Sequence, residues 1–289
     1  MASAKDIRRR IRTVRNIQQM TQAMKLVASA RFQQAQQRVI AARPYADKVR
    51  QLMTGLAAAG GSFEHPLLQV RPEERVTAIV IGADKGLAGS YHANLVRLAQ
   101  KFLDGQPGEA RLYVMGKKAL GSIRRLGYSI DGVLELPGTS VSFDTVRPLS
   151  LDVQQMFAEG KTDAVYLIYT QFHSAISHET LVQRLLPAEP PAQTTGGGGQ
   201  EDAAAEYLFE PEPDKLLSRL LSRYVDTQLF RAVLESIASE QGARMTAMTS
   251  ATKNAGEMID RLTLSLNRAR QAAITTEIAE IVGTAEALK

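Results

Sequence analysis

The sequence contains no cysteine and no tryptophan in 289 residues. Without thiols there is no disulfide, no thiolate metal site and no cysteine nucleophile, and the usage fits a reducing compartment. Aromatic residues make up only 6%. That argues against a large aromatic core, and there is none of the aromatic interleaving on which single-stranded bases stack. No run reaches the roughly 18 apolar residues of a membrane-spanning helix. The four histidines, His65, His92, His173 and His178, are too scattered for a metal site. His173 and His178, near the end of a predicted strand, read as turn residues. No nucleophile–base constellation can be assembled.

A phosphate loop is also missing, although "IVIGADKGLAGS" (79–90) begins like one. Gly82 and Gly86 are separated by three residues, and no Gly-Lys-Ser/Thr follows. "MGKKALGS" (115–122) fails the same spacing, and the dinucleotide pattern of three spaced glycines is absent. These glycines read as a tight strand-to-helix turn of an α/β fold.

Charge is present but uneven. Residues 1–50 hold twelve Lys/Arg and two acids, Asp6 and Asp47, a net +10 that leaves −5 for the rest of a chain totalling +5. A basic first segment calls for an acidic partner: nucleic acid, a membrane surface or an acidic protein. "MASAKDIRRRIRTVRNIQ" has the Arg-rich amphipathic character of a transit peptide. However, Asp6 lies inside it and its apolar rhythm continues for about forty more residues, so it reads as mature structure.

That rhythm is a heptad. Ile7, Val14, Thr21, Ala28, Ala35, Ala42, Val49 and Leu56 form one series. Ile11, Gln18, Lys25, Phe32, Val39, Ala46 and Met53 form its companion. The spacing predicts a coiled-coil helix over 1–58, with Pro44 as a candidate kink. A second series, Gln241, Met245, Met248, Thr252, Ala255, Ile259, Leu262, Leu266, Ala269 and Ala273, predicts a longer helix over 212–289. Past residue 273 its stripe slips to Ile274, Ile278, Ile281 and Ala285. One chain that leaves and returns pairs its ends antiparallel. An ordinary bundle is the alternative, disfavoured by the lack of internal breaks.

Between the ends, residues 75–187 change period. Strand-like runs at 76–81, 111–115, 164–172 and 179–187 alternate with helix-like stretches at 94–103, 117–126 and 145–158, which predicts a mostly parallel sheet covered on both faces. Residues 188–211, "AEPPAQTTGGGGQEDAAAEYLFEP", read as a flexible strap ending in an apolar foot. The fold class is therefore a long antiparallel coiled coil of the N- and C-terminal helices plus a central Rossmann-like α/β domain.

The coil is poor in charge. Between Gln241 and Ile281, nine of 41 residues are charged and 22 are Ala, Gly, Ser, Thr, Asn or Gln. Gly242 and Gly256 sit in mid-helix, where each costs about 1 kcal/mol against alanine. Ile17, Met20, Met24 and Val27 form a second apolar stripe beside the first seam. A helix apolar on more than one side is normally enclosed, so the pattern describes a smooth rod within a protein sleeve.

"AKDIRRRIRTVRNIQQMTQAMKLVASARFQQAQ" (4–36) resembles the opening of the gamma chains of F-type ATP synthases. "SEQGARMTAMTSATKNAGEMIDRLTLSLNRARQAAITTEIAEIVGTAEAL" (239–288) is similar to that family's carboxyl end, and "GADKGLAGSYHANL" (82–95) to its central glycine motif. The resemblance spans the chain except the glycine strap. It implies a central rotor shaft inside a hexamer of alpha and beta subunits, standing on a c-ring beside the epsilon subunit, with proton flow driving rotation. It implies no cofactor and no catalytic residue on this chain, since the catalytic residues belong to the beta subunits. Met24, Lys25, Arg244, Arg270, Gln271, Thr275 and Glu277 match the family's alpha/beta-contact positions, and Tyr207 its approach to the c-ring. Ala88 stands where the family often has cysteine, and Ser90-Tyr91-His92 where it often has Gly-Tyr-Asn. A peripheral place on the cytoplasmic side of a bacterial plasma membrane is expected. The competing reading is a basic coiled-coil scaffold for nucleic acid or a membrane surface, which leaves the charge-poor carboxyl helix unexplained.

Overall fold

In a computed structural model, residues 4–58, 65–106, 108–136, 138, 141–188 and 213–287 are described. Tyr207 and the strap from 189 to 211 lie outside the described residues. The chain divides into two compact units, residues 1–29 with 244–289, and residues 30–243. Two helices run through both: α1 (Ala4–Ala58) and α5 (Pro213–Ala287). α1 continues unbroken through Pro44.

The larger unit is built on five strands, β1 (Arg75–Ile81), β2 (Glu109–Met115), β3 (Gly132–Leu134), β4 (Ala164–Phe172) and β5 (His178–Leu186). Their order is β3-β2-β1-β4-β5. The first four are parallel, and β5 returns antiparallel to β4 as an edge. β1 is buried on both faces, as its unbroken apolar run requires. Ile79 and Ile81 face one layer with α4 (Phe143–Ala158) and the unit's portions of α1 and α5, through Phe32, Val39, Phe157, Leu229 and Val233. Ala78 and Val80 face the other, with α2 (Tyr91–Asp104) and α3 (Lys117–Arg125), through Leu95, Ala99 and Ile123. Each fully buried Leu, Ile or Phe contributes about 1.5–3 kcal/mol. The rings of Phe32 on α1 and Phe172 meet edge-to-face at 5.8 Å between centroids.

The smaller unit is an antiparallel pair of helices. Thr252's hydroxyl lies 2.8 Å from Thr21's hydroxyl and 2.8 Å from Met248's carbonyl oxygen. Gln18 overlies Gly256, where an added Cβ would stand 3.2 Å from its Nε2. Arg9, Arg10, Thr13 and Val14 line a groove with Met258 and Leu262. As numbers fall along α1 they rise along α5, which fixes the direction. Every described seam position of α1 from Ile7 to Met53 is buried or half-buried. On α5 the same holds from Gln241 to Ala269, and it stops there: all of 270–284 is exposed.

In the larger unit, one ion pair ties the starts of two neighbouring strands. Asp163 accepts hydrogen bonds from Arg75 N at 2.8 Å, Nε at 3.2 Å and Nη2 at 2.9 Å. The hydrogen-bonding guanidinium of Arg75 holds the Asp163 carboxyl below the usual aspartate range. A carboxyl depressed on folding adds stability above its unfolded value, and this is lost as pH falls through the depressed value. Asp163→Asn is therefore expected to unfold at lower urea than the parent at pH 7. The difference should shrink as pH drops below about 4; titrated urea denaturation reads it directly.

Candidate functional site

The glycine motif is the first place to look for ligand chemistry, and its geometry is that of a packing joint. Gly82 follows β1 and donates its N–H to Met115 O at 2.9 Å. A Cβ there would come within 2.4 Å of the Ala119 Cβ, so β1 and α3 approach this closely only at glycine. Asp84 Oδ1 accepts from Lys117 N at 2.9 Å, at the start of α3. The left-handed residues of the turn are Leu87 (φ 62°) and Gly89 (φ 58°). Gly86 has an ordinary φ and open space around it, so the tight turn expected there belongs to its neighbours.

The motif's far side rests on α5. Ala83, Ala88 and Tyr91 are buried together with Ala243, and Tyr91's hydroxyl donates to Ser236 O at 3.3 Å. Ser236 Oγ accepts from Thr170 N at 3.3 Å, and Ser239 Oγ donates to Thr170 O at 3.3 Å. Gly242 lies where a Cβ would be 3.2 Å from Ala175 O and 3.4 Å from the Phe32 ring. The mid-helix glycine is thus used for close packing. Glu235, almost fully buried, pairs with Arg231 at 2.7 Å. Nearby, burial pushes the Tyr169 hydroxyl up to about 12. The Ser90-Tyr91-His92 departure is accommodated: Tyr91 docks on α5, and His92 Nε2 lies 2.8 Å from Ser122 Oγ on α3. Burial and nearby Lys118 and Arg125 lower the pKa of His92, favouring its neutral ring. Among the described residues, no group of three or more His, Cys, Asp or Glu is placed to hold a metal.

The expected contact residues that are described all fall in the smaller unit. Met24 is exposed, while Lys25 and Arg244 are half-buried. The Thr21–Thr252 register sets Met24 and Lys25 opposite Met248, within about two helical turns of Arg244. Arg270, Gln271, Thr275 and Glu277 form a second group, all exposed, beginning 26 residues beyond Arg244, or roughly 39 Å along a helix. Arg270 and Glu277, seven apart, share one face, and Gln271 and Thr275, four apart, share another. Thr275 Oγ1 donates to Gln271 O at 2.9 Å.

Around them the surface is apolar. Eleven of the nineteen large apolar side chains exposed among the described residues lie in this smaller unit. They include Ile17, Met20, Leu26 and Val27 on α1, and Ile274, Ile278, Ile281 and Val282 on α5. Sequence reasoning found the two stripes. It missed the serines that seat α5 on β4, because nothing local in "VLESIASE" (233–240) marks Ser236 and Ser239 as sheet contacts.

Comparison with known proteins addresses this geometry. A family model described as ATP synthase matches residues 3–288. The ATP synthase gamma chain of Desulfitobacterium hafniense is 46% identical over 291 residues, covering 100% of both chains. The chain belongs to the ATP synthase gamma chain family. The gamma chain of Moorella thermoacetica is 45% identical and that of Heliobacterium modesticaldum 43%, again covering 100% of each chain. Among solved structures, a chain of the Euglena gracilis mitochondrial ATP synthase rotor superposes with a TM-score of 0.67 at 18% identity. The match covers 94% of this chain and 98% of that one. A chain of the Tetrahymena thermophila central stalk/c-ring assembly gives 0.59 at 23%, covering 80% and 99%. At these identities the likeness bears on fold alone. Among the described residues, no helix is long and apolar enough to cross a membrane.

The joint at Ala88 makes a direct test of the packing role. Ala88→Leu places three extra carbons where Ala83, Tyr91 and Ala243 already fill the space. It is expected to cost about 1–3 kcal/mol by overpacking, read as a lowered denaturation midpoint. An unchanged midpoint would mean that the loop does not bear on α5.

Proposed function

We propose that this chain is the rotor shaft of a proton-translocating ATP synthase, turning inside a ring of alpha and beta subunits. The observation that carries the reading is the bare end of α5. From residue 270 to 284 every side chain is exposed, including Ile274, Ile278, Ile281 and Val282. A lone helix exposing four large aliphatic side chains to water forgoes roughly 1.5–3 kcal/mol for each one that a partner would bury. A surrounding apolar bearing recovers it. The small residues around them, such as Ala272, Ala273 and Ala279, offer no large knob to lock into a hole, so the rod can turn within its sleeve.

Coupling then follows from asymmetry. The shaft is two helices thick where α1 accompanies α5 and one helix thick beyond about residue 270, where the fixed register leaves no described α1 residue opposite it. As the c-ring turns the shaft, each catalytic subunit meets a different side of it in sequence, and nucleotide sites open and close accordingly. The bond-making chemistry belongs to the beta subunits, and this chain contributes no catalytic residue. Met24 and Lys25, with Arg244, engage the hexamer at one level. Arg270, Gln271, Thr275 and Glu277 engage it at another. The exposed charged contacts among these contribute about 0.2–1 kcal/mol each, small enough to be remade at every step. Tyr207 approaches the c-ring, the epsilon subunit binds beside it, and the whole is held peripherally on the cytoplasmic side of a bacterial plasma membrane. The nucleic-acid scaffold is disfavoured by the apolar surface, which offers such a partner nothing.

The absence of native cysteine makes cross-linking clean. In the assembled enzyme, Arg270→Cys oxidised to a cysteine placed on a beta subunit is expected to abolish ATP hydrolysis, with recovery on reduction. Full hydrolysis with confirmed linkage would overturn the shaft reading, and failure of the two cysteines to link would overturn the contact. Separately, Ala272→Trp should allow assembly and lower turnover about tenfold or more, since bulk is added to the exposed side of the rod. Ala255 would be the wrong position for this test, because it is buried in the seam and a tryptophan there pries the two helices apart.

A further inference from the structure

The layer of the larger unit that carries α2 and α3 holds a feature that shaft function does not use. A cleft of about 370 Å³ lies between the outward face of α2 and the start of the edge strand β5. Asn94, Arg97 and Lys101 line it from α2, and His178, Glu179 and Thr180 line it from β5. His178 and Thr180 have the same strand parity as Val182, which packs in the α2 layer, so the cleft opens on the face opposite α1 and α5.

The charge arrangement is unusual for a helix surface. Arg97 and Lys101 stand four apart on one face of α2, a like-charge spacing that disfavours the helix. Among the described residues, neither has a carboxylate partner: Asp104, the only acid on α2, accepts from the Tyr128 hydroxyl, and Glu179 has His173 at 3.8 Å. Asn94 adds an amide donor one turn before Arg97. Across the cleft, burial lowers the pKa of His178, so its ring adds a neutral N–H donor.

We propose that this cleft is a binding site for a small phosphate-bearing anion, held between Arg97 and Lys101, with Asn94 and His178 as further donors. A diphosphate suits the row best. Arg97 and Lys101 are spaced about 6 Å along the helix axis, and two linked phosphates span a comparable distance. Glu179 has the opposite strand parity and lies beside His173, so it stands at the rim and takes no part in holding the anion.

The test uses the full-length chain and inorganic pyrophosphate as probe, with binding followed by titration calorimetry at low salt. The wild type is expected to bind one equivalent, and Arg97→Gln/Lys101→Gln to weaken binding at least tenfold with an unchanged circular dichroism spectrum. A control pair on the basic amino segment, Arg12→Gln/Arg15→Gln, should leave the affinity within twofold. Equal weakening by both pairs, or no saturable binding by the wild type, would overturn the site, because the anion would then be following net charge alone. Neither result bears on the shaft reading, which the cross-link at position 270 tests by itself.

Discussion

The structure depends on how closely α1 and α5 approach along their seam. Large knobs at every position would hold two helices firmly but thicken the pair. Here the middle of the smaller unit's seam is small and polar: Thr21 meets Thr252 through a hydroxyl contact of 2.8 Å, and Gln18 lies over Gly256. Thr252 also has Met248's carbonyl oxygen within reach, so its donor is never stranded. Larger aliphatic groups, Ile7 and Ile11 on α1 with Ile259, Leu262 and Leu266 on α5, continue the seam toward its other end. The result is a slim pair whose register is set by hydrogen bonding and whose cohesion comes from apolar burial.

The same helix serves two environments, which is why α5 has no single apolar stripe along its length. In the larger unit its residues from Val225 to Ala243 are nearly all buried, and they carry polar groups that find specific partners. Asp226 accepts from Ser150 at 2.6 Å and from Gln154 at 3.2 Å, and Ser236 and Ser239 engage the backbone of Thr170. These polar contacts orient the helix on the sheet where apolar packing alone would permit rotation about its axis. In the smaller unit, only the seam side of α5 is covered by this chain.

The seams and the α/β alternation were legible because each rests on local periodicity. The positions from Ile7 to Met53 follow one spacing, and burial follows it in turn. Strands with long apolar runs, such as Ala164–Phe172, announce themselves in the same way. β3 did not, since three residues between loops carry no period. The glycine motif was half legible. Its failure to match a phosphate loop was visible, but the role of Ala88 and Tyr91 was not, because their partner Ala243 is more than 150 residues away in sequence. Close packing also explains Gly242, which in sequence counted as a weak point of a helix. The expected contact residues rest on resemblance alone: nothing local separates Arg270 from Arg268, and both are exposed.

A shaft that slides must not grip, yet a shaft that transmits torque must push against something. Apolar burial cannot do this alone, since it is nearly indifferent to rotation when the surface is smooth. Direction must come from features that differ around the axis. Charge differs around the helix: Arg270 and Glu277, two turns apart, share one face, while Arg268, seven residues before Thr275, shares the other with Gln271 and Thr275. In the proposed shaft, the ring of alpha and beta subunits meets a lone arginine on one side of the rod and an arginine–glutamate pair on another. In this account the apolar residues confine the axle, and the few charged ones mark its angle.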